Sequence, residues 1–221
     1  MTRQSKRSAR QQHLEQHEVA RAIYFDFEGR QNESPALAGV WCEGSYTAYL
    51  LDDSLAALVE SGKAPTQVMV LDAFLAHLNR WARSEDRRVV HFSQAEAEQA
   101  RQAGQPLGQR AFDAKRPVKR AFPHVFAKAR AVRSKRGRYA KGGSSVLAQC
   151  GRVAGFPPPH GYGSGNVGGW IATLRQQIQR RGSYAALTPV TKRKWNQLLA
   201  HNRYDCVAMA KLLSSVEVTP A

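Results

Sequence analysis

Short apolar runs in the first part of the chain predict a meander of β-strands. The run at about 20–28 is aromatic and β-branched and ends before Gly29, which is typical of a strand. Two further runs, Ala36 to Cys42 and Tyr46 to Leu51, flank the glycine-containing turn Glu43-Gly44-Ser45 and indicate a hairpin. We therefore expect three consecutive strands that pair antiparallel.

The apolar spacing then changes to a helical period. It predicts a helix from Thr66 to Trp81, followed by a short strand at 87–92. Ser93 and Glu96 have the spacing of a capping box, so another helix is expected to begin there. A helix between two strands is a crossover, and we expect an α/β fold: a mixed sheet, an antiparallel three-strand meander then parallel strands, flanked by helices.

The remaining half of the chain is predicted to be mainly helical. A proline- and glycine-rich segment at 156–165 cannot form regular structure, and residues 133–143 have the composition of a flexible basic loop. The predicted helices lie at about 122–132, 145–153, 167–181 and 189–214.

Length and composition favour one domain of 221 residues. We place it at 19–216, after a basic flexible tail at 1–18 and before a short tail at 217–221. No apolar run approaches the roughly 20 residues of a membrane span. The three cysteines are widely spaced and form no CxxC motif, which favours a reducing compartment, and we expect the protein to be cytoplasmic.

The charge distribution indicates a polyanionic partner. The net charge is +16, and 19 Lys and Arg but no Asp or Glu lie between Asp113 and Asp205. A long stretch with charges of one sign favours nucleic acid as the partner, with an anionic membrane surface as the second choice. The sequence shows no clear basic amphipathic helix that would support membrane binding. A merely solubilising surface is the alternative. The candidate nucleic-acid contacts, with Tyr139 as an aromatic that could stack on a base, are Arg133, Lys135, Arg136, Arg138, Tyr139, Lys141 and Arg203.

Two carboxylates, Asp26 and Glu28, share one face of the predicted first strand, because side chains alternate along a strand. A strand with this much apolar surface should lie inside a sheet. Two close carboxylates repel each other there unless a positive charge compensates for them. Mg²⁺ or Mn²⁺, which prefer oxygen ligands, would supply that charge. The alternative is an edge strand whose acidic face is solvated.

A second acidic position lies near the end of the chain. Asp205 is the only acidic residue in the predicted last helix, and His201 lies four residues earlier on the same face. A carboxylate and an imidazole one turn apart can meet the same small ligand. A surface His–Asp pair, or a core histidine held by a carboxylate, is the alternative.

Three segments carry a resemblance to a known superfamily: Asp26-Phe27-Glu28, His91-Phe92-Ser93-Gln94-Ala95-Glu96 and His201-Asn202-Arg203-Tyr204-Asp205. Together with the predicted meander they resemble the ribonuclease-H-like 3′–5′ exonucleases of the DEDD superfamily. More narrowly, the chain resembles the exonuclease-like domain associated with RecB-type nucleases. The resemblance covers roughly residues 20–215 and implies a ribonuclease-H-like fold.

The resemblance implies that Asp26, Glu28 and Asp205 ligate metal and that Glu96 takes the second acidic position, where most relatives have Asp. A role as a helix cap would by itself also explain a glutamate at position 96. His201 stands at the spacing of the tyrosine in one subclass, and it could orient or deprotonate the attacking water.

The expected activity is metal-dependent hydrolysis of DNA or RNA, as a 3′–5′ exonuclease acting on a single strand or an end. Two Mg²⁺ or Mn²⁺ ions about 3.5–4 Å apart would activate the water and spread the transition-state charge. Two alternatives stay open. One is a structure-specific endonuclease on the same fold, and the other is a non-catalytic nucleic-acid-binding module with a degenerate nuclease site.

Overall fold

A computed structural model of the chain describes residues 14–30, 32–64, 66–136, 145–160, 162 and 167–216, with only the backbone at 130–136. Leu14 is buried, and the first described helix begins at Gln16. The described structure therefore includes packed residues ahead of residue 19, the predicted start of the domain.

In the described part of the chain, six strands form one mixed sheet. They are β1 (Ile23–Glu28), β2 (Leu37–Cys42), β3 (Ser45–Leu50), β4 (Thr66–Val68), β5 (Val89–His91) and β6 (Ala111–Asp113). Their order across the sheet is β4-β3-β2-β1-β5-β6. Strands β1, β2 and β3 pair antiparallel, and the other neighbours pair parallel. This confirms the predicted α/β class, with an antiparallel meander and parallel strands, and the layout is consistent with a ribonuclease-H-like one.

Helices pack on both faces of this sheet. None of those in the described part of the chain is both long enough and apolar enough to cross a membrane. Short 3-10 helices span Asp53–Ser61 and Gly108–Arg110. The α-helices are α1 (Gln16–Arg21), α2 (Leu71–Ser84), α3 (Gln94–Gln102), α4 (Lys115–Ala121), α5 (Pro123–Arg136), α6 (Val146–Val153), α7 (Val167–Arg181) and α8 (Pro189–Ser215).

Strand β1 separates two parts of the core. Phe25 belongs to the apolar cluster that includes Phe74 and Leu78 of α2. Tyr24 points to the opposite face and joins the cluster that includes Met209 of α8. Because side chains alternate along a strand, this arrangement puts the face that carries Asp26 towards α8.

The predicted helix from Thr66 to Trp81 is wrong in its first part. Thr66–Val68 form β4, whose residues pair in parallel with β3, and the helix starts only at Leu71. The backbone of Val70, immediately before the helix, is extended. The unpaired edge of β3 offers backbone hydrogen bonds to this segment, and such a tertiary partner is invisible in apolar spacing.

Two further elements in the middle of the chain were not predicted from the sequence. Strand β6 and helix α4 occupy a region for which the sequence showed no clear periodicity, because segments of three and seven residues are too short to display one. Helix α5 continues to Arg136, so the beginning of the predicted basic loop is helical. The predictions for α6, α7 and α8 are confirmed within one residue at each end. For α3 only the start was predicted, and it is also confirmed.

Candidate metal centre

Carboxylates from three separate elements meet at one end of the sheet. Asp26 and Glu28 end β1, Glu96 lies in the first turn of α3, and Asp205 lies in α8. Strand β5 runs parallel to β1 beside it, so the helix that follows β5 begins near the end of β1. Asp26, Glu96 and Asp205 line one cavity.

His201 lies between two of these carboxylates. Its Nε2 is 3.6 Å from Oε1 of Glu28 and 3.4 Å from Oδ2 of Asp205. Glu28, His201 and Asp205 each offer one ligand atom, and these atoms lie within 4.8 Å of one another. The structure thus brings together the acidic and histidine residues that the sequence singled out.

Burial makes this acidic cluster costly without a compensating charge. Glu28 and Asp205 are 7% and 8% exposed. Desolvation and then the neighbouring carboxylates raise the pKa of Asp26 and of Glu28 well above their usual range. Desolvation also raises the pKa of Asp205 to about 7. Such a cluster requires either bound protons or a cation.

The donor set fits a hard divalent cation. Oε1 of Glu28 is buried and has no hydrogen-bond partner among the residues that the structure describes, so it is available as a ligand atom. Burial lowers the pKa of His201 to about 4, which keeps its imidazole neutral near pH 7. Carboxylate oxygens suit Mg²⁺ and Mn²⁺, and a neutral imidazole nitrogen suits transition metals. These residues could therefore hold a metal ion.

Glu96 acts as a helix cap. Its Oε2 accepts hydrogen bonds from the backbone N of Ser93 at 3.0 Å and from Oγ of Ser93 at 2.7 Å, which confirms the predicted capping box. The same side chain is 6% exposed and lines the cavity beside Asp26 and Asp205. The cap therefore holds the Glu96 carboxylate at the cavity wall.

Asn202 is a site residue to which the sequence analysis assigned no role. Its Nδ2 donates to the backbone carbonyl and to Oδ2 of Asp26, both at 3.1 Å, and its Oδ1 accepts from the Tyr46 hydroxyl at 2.8 Å. A side chain at Gly39 would put Cβ 1.5 Å from Oδ1 of Asn202. The available signal was the spacing of Asn202 to Asp205, three residues along one helical face.

Tyr162 is a second residue that the sequence analysis did not assign to the site. Its hydroxyl donates to Oδ1 of Asp205 at 2.5 Å and lies 2.8 Å from Oγ of Ser145. Its ring stacks on His201, with centroids 4.3 Å apart and planes 15° from parallel. Tyr162 comes from the proline- and glycine-rich segment, whose sequence has no periodic pattern that would predict this contact.

The predicted nucleic-acid contacts stand apart from this centre where they are described. Arg203 is exposed on α8, with its guanidinium over the ring of Trp41 at 6.0 Å, and it is not part of the cavity wall. Arg138, Tyr139 and Lys141 lie outside the described residues. The structure gives the helical backbone of Arg133, Lys135 and Arg136 but not their side chains.

Fold and site define an α/β protein with a cluster of buried and half-buried carboxylates and one half-buried histidine at the end of a mixed sheet. No family model, curated protein or solved structure matches the chain. The resemblance to the DEDD superfamily therefore stays a prediction that rests on the motif residues.

Proposed function

We propose that this protein is a metal-dependent nuclease that hydrolyses phosphodiester bonds of DNA or RNA, and that it acts as a 3′–5′ exonuclease. The observation that carries the proposal is the convergence of Asp26, Glu28, Glu96 and Asp205 from β1, α3 and α8 on one site, where all of these carboxylates except the half-buried Asp26 are buried. The 3′–5′ direction comes from the motif resemblance. The basic stretch between Asp113 and Asp205 supports a nucleic-acid substrate.

Asp26, Glu28 and Asp205 would hold the metal. Two Mg²⁺ or Mn²⁺ ions, when bound, supply an activated water and stabilise charge on the leaving oxygen. Asn202 holds the carboxylate of Asp26, and Tyr162 holds that of Asp205. His201, a neutral imidazole whose Nε2 lies 3.4 Å from Oδ2 of Asp205, would orient the attacking water or accept its proton.

The proposal is tested with a 5′-labelled single-stranded oligonucleotide, as DNA and as RNA, in Mn²⁺, Mg²⁺ and EDTA. We expect a ladder of progressively shortened products with either metal and none in EDTA. Asp26→Asn and Asp205→Asn should each reduce the rate at least about a hundredfold. The matched control for Asp26→Asn is Asp53→Asn, which changes an exposed aspartate and should cleave like the wild type.

The role of Glu96 is tested by a pair of substitutions on one helix. Glu96→Gln removes a charge at the cavity wall, whereas Glu98→Gln removes an exposed charge paired with Arg101. We expect slower cleavage only for Glu96→Gln.

A blocked 3′ end should stop the reaction, whereas discrete internal fragments or opening of a circular strand would indicate an endonuclease. Undiminished cleavage by Asp26→Asn would overturn the assignment of the site.

One observation favours a second candidate, a nucleic-acid-binding module with a degenerate site. Oδ1 of Asp205 already accepts from Tyr162, and Oε2 of Glu96 is used by its cap, which leaves fewer free oxygens for metal. This candidate predicts nucleic-acid binding without cleavage in either metal. Thermal stabilisation by Mn²⁺ in the absence of cleavage would mark the site as vestigial.

We also propose a cytoplasmic location. Cys42, Cys150 and Cys206 are all free and buried, as is usual in a reducing compartment. Fractionation of the native host cell tests this location directly.

A further inference from the structure

The cavity beside the candidate metal centre has a second, basic wall. Its volume is about 980 Å³. Asp26, Glu96 and Asp205 lie at the acidic side, and Lys115 and Lys119 of α4 contribute the cationic groups. None of the nucleic-acid contacts predicted from the sequence includes these two lysines.

Lys115 and Lys119 form a pair on one face of α4. They lie four residues apart, which is about 6 Å along the helix axis and brings both side chains to the same side. Both are exposed, and neither has a carboxylate within 4.0 Å among the described residues. Arg116 on the same helix pairs with Asp113 instead. The two ammonium groups are therefore available to an anionic ligand.

Aromatic and apolar side chains complete the cavity wall. Phe92, directly after β5, and Phe126 of α5 are half-buried, and both pack against the core cluster that includes Val90 and Val125 while also lining the cavity. An aromatic ring held by the core on one side presents a rigid surface to a ligand on the other. Such rings stack on nucleic-acid bases.

We propose that this cavity binds the end of a single nucleic-acid strand, with Lys115 and Lys119 contacting backbone phosphates and Phe126 contacting a base. The identification of the ligand rests on the proposed function. The charge is complementary, because a polyanion would meet two lysines and metal-compensated carboxylates in the wall of the same cavity. A volume near the upper range of small-ligand sites, about 300–1,000 Å³, accommodates a few nucleotides of one strand.

The test measures binding separately from cleavage. Affinity for a fluorescent single-stranded oligonucleotide is determined in the Asp26→Asn background, where cleavage is expected to be too slow to interfere. Lys115→Gln with Lys119→Gln should weaken binding at least about tenfold. The slope of log affinity against log salt should fall by about 1.4, because each phosphate contact on a single strand contributes roughly 0.7.

The matched control is Lys63→Gln with Arg180→Gln, which removes the same charge from exposed positions outside the cavity wall. Its affinity and salt slope should stay close to those of the Asp26→Asn background. Phe126→Leu keeps an apolar side chain against the core and removes the ring, and it should weaken binding about fivefold or more. Cooperative melting of each variant confirms that it is folded.

The outcomes separate this inference from the nuclease assignment. If the wild type cleaves and the lysine pair can be removed without loss of affinity, the cavity proposal is overturned while the nuclease proposal stands. If nothing is cleaved but binding depends on the lysine pair and on Phe126, the cavity proposal stands alone. Equal or tighter affinity for blunt duplex would also overturn the single-strand assignment.

Discussion

Asn202 donates two hydrogen bonds to Asp26 from the facing helix, one to the backbone carbonyl and one to Oδ2, each 3.1 Å long. The Tyr46 hydroxyl donates to the other end of the same amide at 2.8 Å. Asn202 is fully buried, so these are the partners that satisfy its polar atoms within the described structure. One side chain of α8 thus sets the position of the β1 carboxylate and ties β1, β3 and α8 together.

Replacing Asn202 by Ala should therefore affect both stability and the site. It leaves the Tyr46 hydroxyl and the Asp26 carbonyl without their buried partner, which costs about 1–3 kcal/mol in the free energy of unfolding. Urea unfolding measures this cost, and calorimetry should show weaker Mn²⁺ binding. The control is Asn79→Ala, whose bond to the Pro106 carbonyl is at the surface and whose loss should cost no more than about 0.5 kcal/mol. Equal costs for the two variants would contradict this role of Asn202.

Gly39 makes room for the Asn202 amide, so a methyl group there should be destabilising. A Cβ at position 39 would lie 1.5 Å from Oδ1 of Asn202 and 2.9 Å from Cε2 of Tyr46. We expect Gly39→Ala to lower the free energy of unfolding by about 1–3 kcal/mol, the usual cost of overpacking. A double-mutant cycle with Asn202→Ala checks the cause, because the cost should shrink once the amide is gone. Additive costs would show that the amide is not the obstacle.

Tyr162 should act as a positioning residue for Asp205 and His201. Tyr162→Phe keeps the ring stacked on His201 but removes the donor to Asp205, and loss of such an outer partner typically costs 10- to 100-fold in metal affinity or activity. We expect that range in Mn²⁺ affinity, with little change in oligonucleotide KM. Tyr184→Phe, remote from the centre, is the control. A melting temperature that falls while Mn²⁺ affinity is unchanged would reduce Tyr162 to a structural role.

The raised pKa of Asp205 predicts that metal-free protein loses stability as pH rises. Burial raises this pKa from 3.8 to about 7, so the stabilisation is complete below about pH 4 and is lost as pH rises through 7. His201 has the opposite sign, because its pKa is lowered from 6.5 to about 4 and its contribution is lost as pH falls through that range. Comparison of wild type with Asp205→Asn cancels most of the His201 contribution.

The measurement is the melting temperature in EDTA between pH 5 and 8. The advantage of wild type over Asp205→Asn should decrease from pH 5 to about pH 7 and level off above it. Saturating Mn²⁺ should restore stability to the wild type at pH 8 and do so much less for Asp205→Asn, because the cation replaces the proton between the carboxylates. If the difference in melting temperature between wild type and Asp205→Asn does not change with pH, a buried, proton-sharing Asp205 would be excluded.

The local patterns of the chain determined most of the fold elements and one part of the site. Alternation along β1 put Asp26 and Glu28 on one face, and the four-residue spacing of His201 and Asp205 put them on one side of α8, because both relations follow from backbone geometry within one element. The Ser93–Glu96 capping box is equally local, and the structure confirms it.

Relations between elements were decided only by the tertiary structure. β4 forms because the edge of β3 offers it hydrogen-bond partners, although its sequence continues a helical spacing. The contact of Tyr46 with Asn202 joins residues 156 positions apart, and that of Tyr162 with Asp205 joins residues 43 positions apart. The helical periodicity of α8 shows which residues share a face, but the packing of α8 on the sheet determines which partners they meet. The sequence by itself therefore determined which side chains share a strand or helix face, and the packing of those elements decided which faces come together, since buried polar groups find their partners only when the sheet and helices close around them.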